Sequence, residues 1–174
     1  QVKEVYFIAG ISSTYVPEEE QKGIPQRINL HRINKVIDTN TVFNNSITEA
    51  DYDPEPLNST ESLYFGGDSI KIHLKNSFAE EIFTATRQEM DTLSLFIERF
   101  KGLLLKSSTP DEGVLGGRQN FMNYGAGSIY ISVNFQPTWD EGLERKDTLF
   151  VLKLGTEVCL NISKYESMQN QTDT

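Results

Sequence analysis

Short runs of alternating or continuous apolar residues recur along the chain, separated by polar stretches rich in glycine, proline and asparagine. Ser128–Phe135 alternates most regularly, with an apolar side chain at every second position, as in a strand with one face in a core. Ile70, Ile72 and Leu74 alternate in the same way. Val2–Ile11 is almost continuously apolar, which is typical of a strand buried on both faces. These segments predict a protein built mainly from β-strands.

Three further segments extend this pattern. Arg27–Val36 alternates and then shifts phase, which predicts a strand with a bulge or a bend. Thr148–Leu154 and Thr156–Ile162 flank Gly155 and predict two more strands. The polar stretch at 38–60 predicts a long surface connection.

The stretch at 93–107 combines a helix with a strand. Its apolar residues fall at i, i+3, i+4 and i+7, on one face of a helix: Leu93, Phe96, Ile97 and Phe100. Gly102 then suits a left-handed helix end, and the apolar run that begins at Leu103 predicts a short buried strand. The expectation is a helix laid across a β-rich core, with a loss of roughly 3–5 kcal/mol for Phe96→Ala or Phe100→Ala.

Two S/T-x-x-E sequences predict where helices start. Ser77 with Glu80 is expected to open one short helix, and Thr86 with Glu89 to open the helix that contains Leu93. Together the elements predict a mainly β fold, an antiparallel jelly-roll-type β-sandwich with two short helices. Residues 1–166 are expected to form a single domain, and 167–174 a polar tail.

Composition narrows the class of partner. The length of 174 residues suits one domain, and the single cysteine, Cys159, excludes an internal disulfide. The net charge of −9 argues against nucleic acid and against direct docking to anionic lipid. No run of about 18 apolar residues is present, so no membrane-spanning helix is predicted. Because the chain begins at Gln1, we expect a mature or trimmed product.

Catalytic patterns are weak, and we predict that the protein is not an enzyme. The sequence lacks G-x-S-x-G, H-E-x-x-H and C-x-x-C. His31 and His73 are the only histidines, and each lies on the polar side of a predicted strand, where a surface or structural role is expected. An enzyme would instead need carboxylates that converge from the loops of Asp51 and Asp140.

One acidic loop is a candidate metal site. Asp51, Asp53 and Glu55 place three carboxylates at alternate positions, and calcium prefers oxygen ligands of this kind. Pro56 and Ser62 occupy positions where an EF-hand needs glycine and glutamate, so that motif is excluded. A solvated acidic loop is the alternative interpretation. No other cofactor is indicated.

Aromatic residues in predicted loops are candidates for a sugar-binding platform, because pyranose rings pack their apolar faces on flat side chains. Trp139 with Asp140, and Phe121 with Tyr124, are the two candidate pairs. The alternative is that Trp139 caps one end of the sandwich core. N-x-S/T triplets, which accept glycans in eukaryotic secretory proteins, start at Asn44, Asn58, Asn161 and Asn170.

Several segments resemble known bacterial domains. INLHRINKV, SFAEEIF, LSLFIERFKGLLLKS and GSIYISVNF follow, in order, the pattern of jelly-roll, carbohydrate-binding-module-like domains of surface proteins. FIERFKGLLLKS with DSIKIHLKNSFAEEIF, SIYISVNF and CLNISKYE is similar to an uncharacterised family of Bacteroidetes surface lipoproteins, a domain of unknown function. Ser167 and Met168 stand where that family continues with His-Asp.

This resemblance implies export to the cell surface or outer membrane, with membrane attachment only through a lipid anchor outside this chain. It transfers no catalytic residue. The functional hypothesis is therefore a non-enzymatic extracellular module of a bacterial surface lipoprotein that binds a polysaccharide or another surface polymer. The alternative is a structural or assembly module of a cell-envelope complex, which contacts envelope protein partners through its sheet edges.

Overall fold

Two antiparallel sheets and three α-helices make up the part of the chain that the structure, a computed structural model, describes: residues 1–15, 25–36, 47–108, 121–137 and 147–153. The strands are β1 (Val2–Tyr15), β2 (Gln26–Arg32), β3 (Leu63–Tyr64), β4 (Ser69–His73), β5 (Leu103–Ser108), β6 (Phe121–Phe135) and β7 (Thr148–Lys153). The helices are α1 (Asn76–Phe83), α2 (Arg87–Asp91) and α3 (Leu93–Phe100), with a 3₁₀ helix at Glu49–Asp51.

The first sheet has the strand order β4-β1-β6-β7, and the second has the order β3-β2-β5. Every strand pair in both sheets is antiparallel. The core lies between the sheets and is lined by their alternate apolar side chains, among them Val5, Phe7, Ile28, Leu30, Ile72, Ile131 and Val133. The prediction of a mainly β, antiparallel sandwich is confirmed, and its jelly-roll type stays a prediction.

β1 occupies the centre of the first sheet, between β4 and β6. Val5, Phe7 and Ala9 are buried, whereas Tyr6 and Ile8 between them are only half-buried. The prediction that this strand is buried on both faces is therefore wrong. The second sheet covers one of its faces, and the other face carries the side chains of Tyr6 and Ile8.

The other predicted strands are confirmed as β4, β5, β6 and β7, and Thr156–Ile162 lies outside the described residues. β2 shows the predicted change of phase. Leu30 is buried, and so are the next residue, His31, and Ile33. Ile33 pairs with Tyr52 as an isolated bridge beyond the end of the strand.

The predicted surface connection at 38–60 contributes to the sandwich in its described part, residues 47–60. Asn58 is buried, and its side-chain amide bonds to the backbone of β2. Its Oδ1 accepts from the Leu30 N–H at 2.9 Å, and its Nδ2 donates to the Ile28 carbonyl at 3.0 Å. The side chain thus supplies β2 with the two hydrogen bonds that a neighbouring strand would make.

The backbone on either side of Asn58 bonds to the edge of the first sheet. The Ser59 N–H donates to the His73 carbonyl, and the Lys75 N–H donates to the Leu57 carbonyl, both at 2.9 Å. The Leu57 N–H in turn donates to the carbonyl of Leu30 in β2, at 2.8 Å. Residues 57–59 therefore join the two sheets along one side of the sandwich. Asn58 cannot carry a glycan in this fold, because both polar atoms of its amide are engaged and buried.

The first predicted helix start is displaced. α1 begins at Asn76, and Lys75 rather than Ser77 occupies the N-cap without a side-chain cap bond. Lys75 is held in an extended conformation by its backbone bond to Leu57, so the helix starts directly after it. The Thr86–Glu89 capping box is confirmed, because the Thr86 Oγ1 accepts from the Glu89 N–H at 3.2 Å.

The helix that follows this box is interrupted. α2 ends at Asp91. Thr92 follows with an extended backbone, and α3 begins at Leu93. Three helices are therefore present where two were predicted. Lys101 and Gly102 at the end of α3 both have positive φ angles, as expected for a left-handed helix end.

The expectation that this helix lies across the core is wrong. No residue of α3 is fully buried, and Leu93 is 59% exposed. Phe100 packs against the edge of the core. The Phe96 ring contacts the Phe100 ring at a tilt, with 4.9 Å between the ring centres. The helix in the core is α1, which buries Phe78, Ala79 and Ile82. The chain enters α1 directly from β4, so its apolar face is already beside the sheets.

Asn58→Ala should lower the free energy of unfolding by about 2–3 kcal/mol, because it leaves a buried N–H and a buried carbonyl of β2 unpaired. Asn58→Asp keeps the acceptor for the Leu30 N–H but places a buried carboxylate oxygen against the Ile28 carbonyl, so it should lose at least as much. Chemical denaturation measures both, with Asn34→Ala at an exposed position as the control. A loss at Asn58 no larger than that of the control would contradict its role as the link between the sheets.

Phe78→Ala should cost about 3–5 kcal/mol of unfolding free energy, since Phe78 is fully enclosed in the core. Phe96→Ala should cost only about 1–2 kcal/mol, because the Phe96 ring is only half-buried. Urea denaturation of the two variants provides the comparison. Equal losses at the two positions would restore α3 as a core helix.

Candidate functional site

The first sheet presents an outer face, directed away from the second sheet, that carries both aromatic and charged side chains. Its members alternate along each strand with the residues that face the core. We define this outer face by Glu4, Tyr6 and Ile8 of β1, Lys71 and His73 of β4, Tyr130, Ser132 and Asn134 of β6, and Leu149, Val151 and Lys153 of β7.

The corresponding side of the second sheet is covered by the segment around Tyr52. His31 of β2 is only 5% exposed, and its Nδ1 lies 2.8 Å from the Asp53 carbonyl. The Tyr52 ring contacts His31 edge-on at 5.2 Å, and the Lys106 Nζ donates to the Tyr52 hydroxyl at 3.0 Å. His31 thus has the structural role that was expected, although it is buried. The outer face of the first sheet is the more accessible of the two.

The register of the strands places the side chains of the outer face in rows. Tyr6 lies between His73 on β4 and Ser132 on β6. The neighbouring row runs across all four strands in the order Lys71, Ile8, Tyr130 and Lys153. Tyr6 and Tyr130 are diagonal neighbours on adjacent strands, a separation of about 7–8 Å between backbones.

Tyr6 is the centre of an aromatic and cationic cluster. The His73 ring lies 5.0 Å from the Tyr6 ring at an angle of 30°, and the Lys71 Nζ lies 4.1 Å from the centre of the same ring. An ammonium in that position is attracted by the negative face of the ring. The three side chains come from two paired strands, so the sheet itself holds them in place.

Ser59 fixes the orientation of the His73 ring. Its Oγ lies 2.8 Å from the His73 Nδ1 and 3.2 Å from the His73 carbonyl. A serine beside a histidine is the core of many hydrolase sites, where a third group orients the histidine. Here the His73 Nε2 is buried and has no hydrogen-bond partner among the described residues. Among the described residues, the pair holds the His73 ring against Tyr6.

The three predicted metal ligands lie along the edge of β2, and each has a partner in the protein. The Asp51 Oδ1 pairs with the Lys35 Nζ at 2.7 Å, and Glu55 pairs with Lys75. The Asp53 Oδ1 accepts from the backbone N–H of Glu55 at 3.0 Å. Within the part of the chain that the structure describes, no group of three acidic, histidine or cysteine side chains is placed to hold a metal ion. Calcium binding at this loop stays a prediction.

The pKa of Asp51 is lowered from 3.8 to about 2, first by its hydrogen bond to Lys35 and then by the backbone N–H of Thr48. That N–H donates to the Asp51 Oδ2 at 2.7 Å, and this bond begins the 3₁₀ helix. Both interactions favour the ionised carboxylate. Asp51 therefore anchors the segment that covers the second sheet.

One of the two predicted sugar-binding pairs lies not in a loop, as predicted, but at the start of β6. Phe121 and Tyr124 occupy its first residues, opposite Tyr15 and Ile11 of β1, and their side chains lie outside the described part of the structure. Trp139 and Asp140 also lie outside the described residues.

At the far end of β6, Phe135 pairs with Thr148, the first residue of β7. A cluster of aromatic rings lies beside this point, because Phe83 of α1 contacts Phe135 at 4.9 Å and Phe150 at 5.6 Å. Phe83 remains 40% exposed.

Sequence analysis did not identify the outer face. A signal for it was present in the strand pattern, where Tyr130 and Tyr6 occupy polar-side positions and Lys71 alternates with buried isoleucines. These residues come together only through the order of the strands in the sheet and the register of their pairing. Ser59 and His73 are 14 positions apart, and nothing in their spacing indicates a contact.

Comparison with protein-family models, with curated proteins and with solved structures finds no match to this chain. Among the described residues, no helix is both long and apolar enough to cross a membrane. The resemblance to surface lipoproteins therefore stays a prediction.

Asp51→Asn should reduce the free energy of unfolding at pH 7, with the loss shrinking as the pH falls from about 4 toward 2. The reason is the sign of the shift: a carboxylate with a lowered pKa stabilises the fold above its unfolded pKa of 3.8 and loses this effect as it is protonated near 2. Denaturation at a series of pH values, with Asp68→Asn as an exposed control, measures it. A loss that is constant with pH would contradict the Lys35 pairing as its cause.

Proposed function

We propose that the protein is a non-enzymatic, extracellular binding module that holds a glycan on the outer face of its first sheet. The observation that carries this proposal is the cluster of Tyr6, His73 and Lys71 beside Tyr130. Aromatic rings pack against the C–H faces of pyranose rings, and adjacent polar groups hydrogen-bond the sugar hydroxyls. The outer face combines both kinds of group.

Rigidity also supports this function. Tyr6 and Tyr130 belong to the two central strands of the sheet, each of which is paired on both sides. Their side chains are half-buried, so little conformational freedom is lost when a ligand orders them further. A flat, preformed face of this kind suits an extended polymer better than a small molecule, which needs a concave pocket.

The cellular setting of the proposal comes from the resemblance to Bacteroidetes surface lipoproteins. A lipid anchor outside this chain would hold the module at the cell surface or outer membrane. The net charge of −9 is compatible with that setting, since it opposes adsorption to anionic lipid. A surface polysaccharide is the partner that this location and this face favour together.

Replacing Tyr6 and Tyr130 together by valine should weaken polysaccharide binding at least about tenfold, because it removes both aromatic surfaces and keeps a good strand residue. Affinity electrophoresis against a panel of bacterial, plant and host polysaccharides identifies a ligand, and calorimetry measures the loss. Phe65→Ser is the matched control, since Phe65 is an exposed aromatic residue on the turn between β3 and β4. Unchanged binding by the tyrosine variant, with its fold intact by circular dichroism, would contradict the proposal.

A Trp139 variant distinguishes the outer face from the predicted Trp139 loop. Trp139 is the only tryptophan, so fluorescence of the unchanged chain reports on that segment, and calorimetry measures binding by the variant that lacks it. Trp139→Phe should bind the same polysaccharide with unchanged affinity if the outer face is the site. A loss of binding in this variant would instead place the site at the loop.

The alternative function, an assembly module of a cell-envelope complex, is favoured by one observation. Leu149 is 66% exposed and Val151 is 40% exposed on β7, which lies at the edge of the first sheet among the described strands. Exposed apolar residues on an edge strand suit pairing with a protein partner. This alternative gains if the intact chain binds no polysaccharide and a Leu149→Lys substitution releases it from an envelope complex.

A further inference from the structure

We infer that the glycan held on the outer face is a carboxylated, acidic polysaccharide, an inference that rests on the proposed function. It depends on where Lys71 and Lys153 lie relative to the aromatic residues. The outer face carries two lysines and one acidic residue, Glu4, so its formal net charge is positive, whereas the chain as a whole has a net charge of −9. This face is therefore more positive than the protein that carries it.

Within the described part of the chain, Lys71 has an aromatic partner and no acidic one. Its Nζ lies 4.1 Å from the centre of the Tyr6 ring, and the residue is exposed. Lys35, which follows β2, pairs with Asp51, and Lys75, which follows β4, pairs with Glu55. No carboxylate of the described residues lies within ion-pair distance of Lys71 or Lys153. A ligand carboxylate can therefore approach Lys71 without displacing one from the protein.

The position of Lys71 discriminates between neutral and acidic sugars. A neutral pyranose that stacks on this side of Tyr6 must displace the ammonium and lose its attraction to the ring. A uronic acid residue can leave the ammonium in place, because its carboxylate pairs with Lys71 while its ring packs on Ile8 and Tyr130 in the same row. The existing contact is retained, and a charge-assisted hydrogen bond is added.

Lys153 provides a second cation at the other end of this row. The row crosses the four neighbouring strands of the sheet, with Lys71 on β4, Ile8 on β1, Tyr130 on β6 and Lys153 on β7. Three strand spacings separate the two lysines, a backbone distance of about 14 Å. A polymer that crosses the strands along this row meets a cation, an apolar centre and a second cation. A carboxylate on each of two separated sugar units matches that arrangement.

The test compares polymers that differ only in charge. Polygalacturonate, alginate and hyaluronan are each measured beside their carboxyl-reduced forms, by calorimetry at low and at physiological salt. We expect at least one carboxylated form to bind about tenfold more tightly than its reduced form. Lys71→Gln and Lys153→Gln should each lose about five- to tenfold in affinity for the carboxylated form and change little for the reduced form. Arg87→Gln is the control, a cation that is 94% exposed on α2.

Three outcomes would overturn the inference, and they separate it from the proposed function. Equal binding of both forms, still dependent on Tyr6 and Tyr130, would leave a glycan module without a preference for acidic polymers. An Arg87→Gln loss as large as the Lys71→Gln loss would mean that any surface cation contributes, without a defined row. Binding of neither form, with no other polysaccharide bound, would remove the proposed function as well.

Discussion

The side-chain amide of Asn58 takes the place of a strand in this protein, and the joint between the two sheets depends on it. A buried backbone N–H and carbonyl of β2 require partners, and the amide supplies both. Its neighbours, Leu57 and Ser59, then have their own backbone groups directed to the ends of β2 and β4. Without this segment, one edge of each sheet would present unpaired polar groups to the core.

The same joint positions the proposed site. Ser59 follows Asn58 and holds His73 at the edge of the first sheet, where its ring stacks on Tyr6. Lys75 continues from β4, bonds to Leu57 and forces α1 to begin at the next residue. A single polar side chain in a segment without regular strand structure thus affects the core helix, the edge of the sheet and the aromatic cluster on its outer face.

The second sheet shows how the same strand pattern leads to different surroundings. On β2, the side chains that point away from the core are covered, because Tyr52 packs over His31. On β1 and β4, the corresponding side chains are accessible, and Lys71 lies over the Tyr6 ring. Asp51 and Lys35 hold the covering segment in place through an ion pair and a cap. The acidic triplet of this segment therefore has a structural use, and its three carboxylates are directed to partners within the protein.

Local sequence by itself determined most of the strands and the Thr86–Glu89 cap of this protein, because a two-residue period and a capping box act over a few neighbouring residues. It did not predict β3 or the first half of β6, which was expected to be a loop. It did not determine which amphipathic helix enters the core. α1 and α3 both have an apolar face, but only α1 follows β4 directly and so starts beside the sheets. Phe78 of α1 is therefore enclosed, while Phe96 of α3 stays half-buried. Nor did it determine the outer face, since Tyr6, Lys71 and Tyr130 meet only through the order and register of four strands. Burial and long-range pairing were decided by the tertiary structure, since they depend on contacts between residues that are distant in the chain.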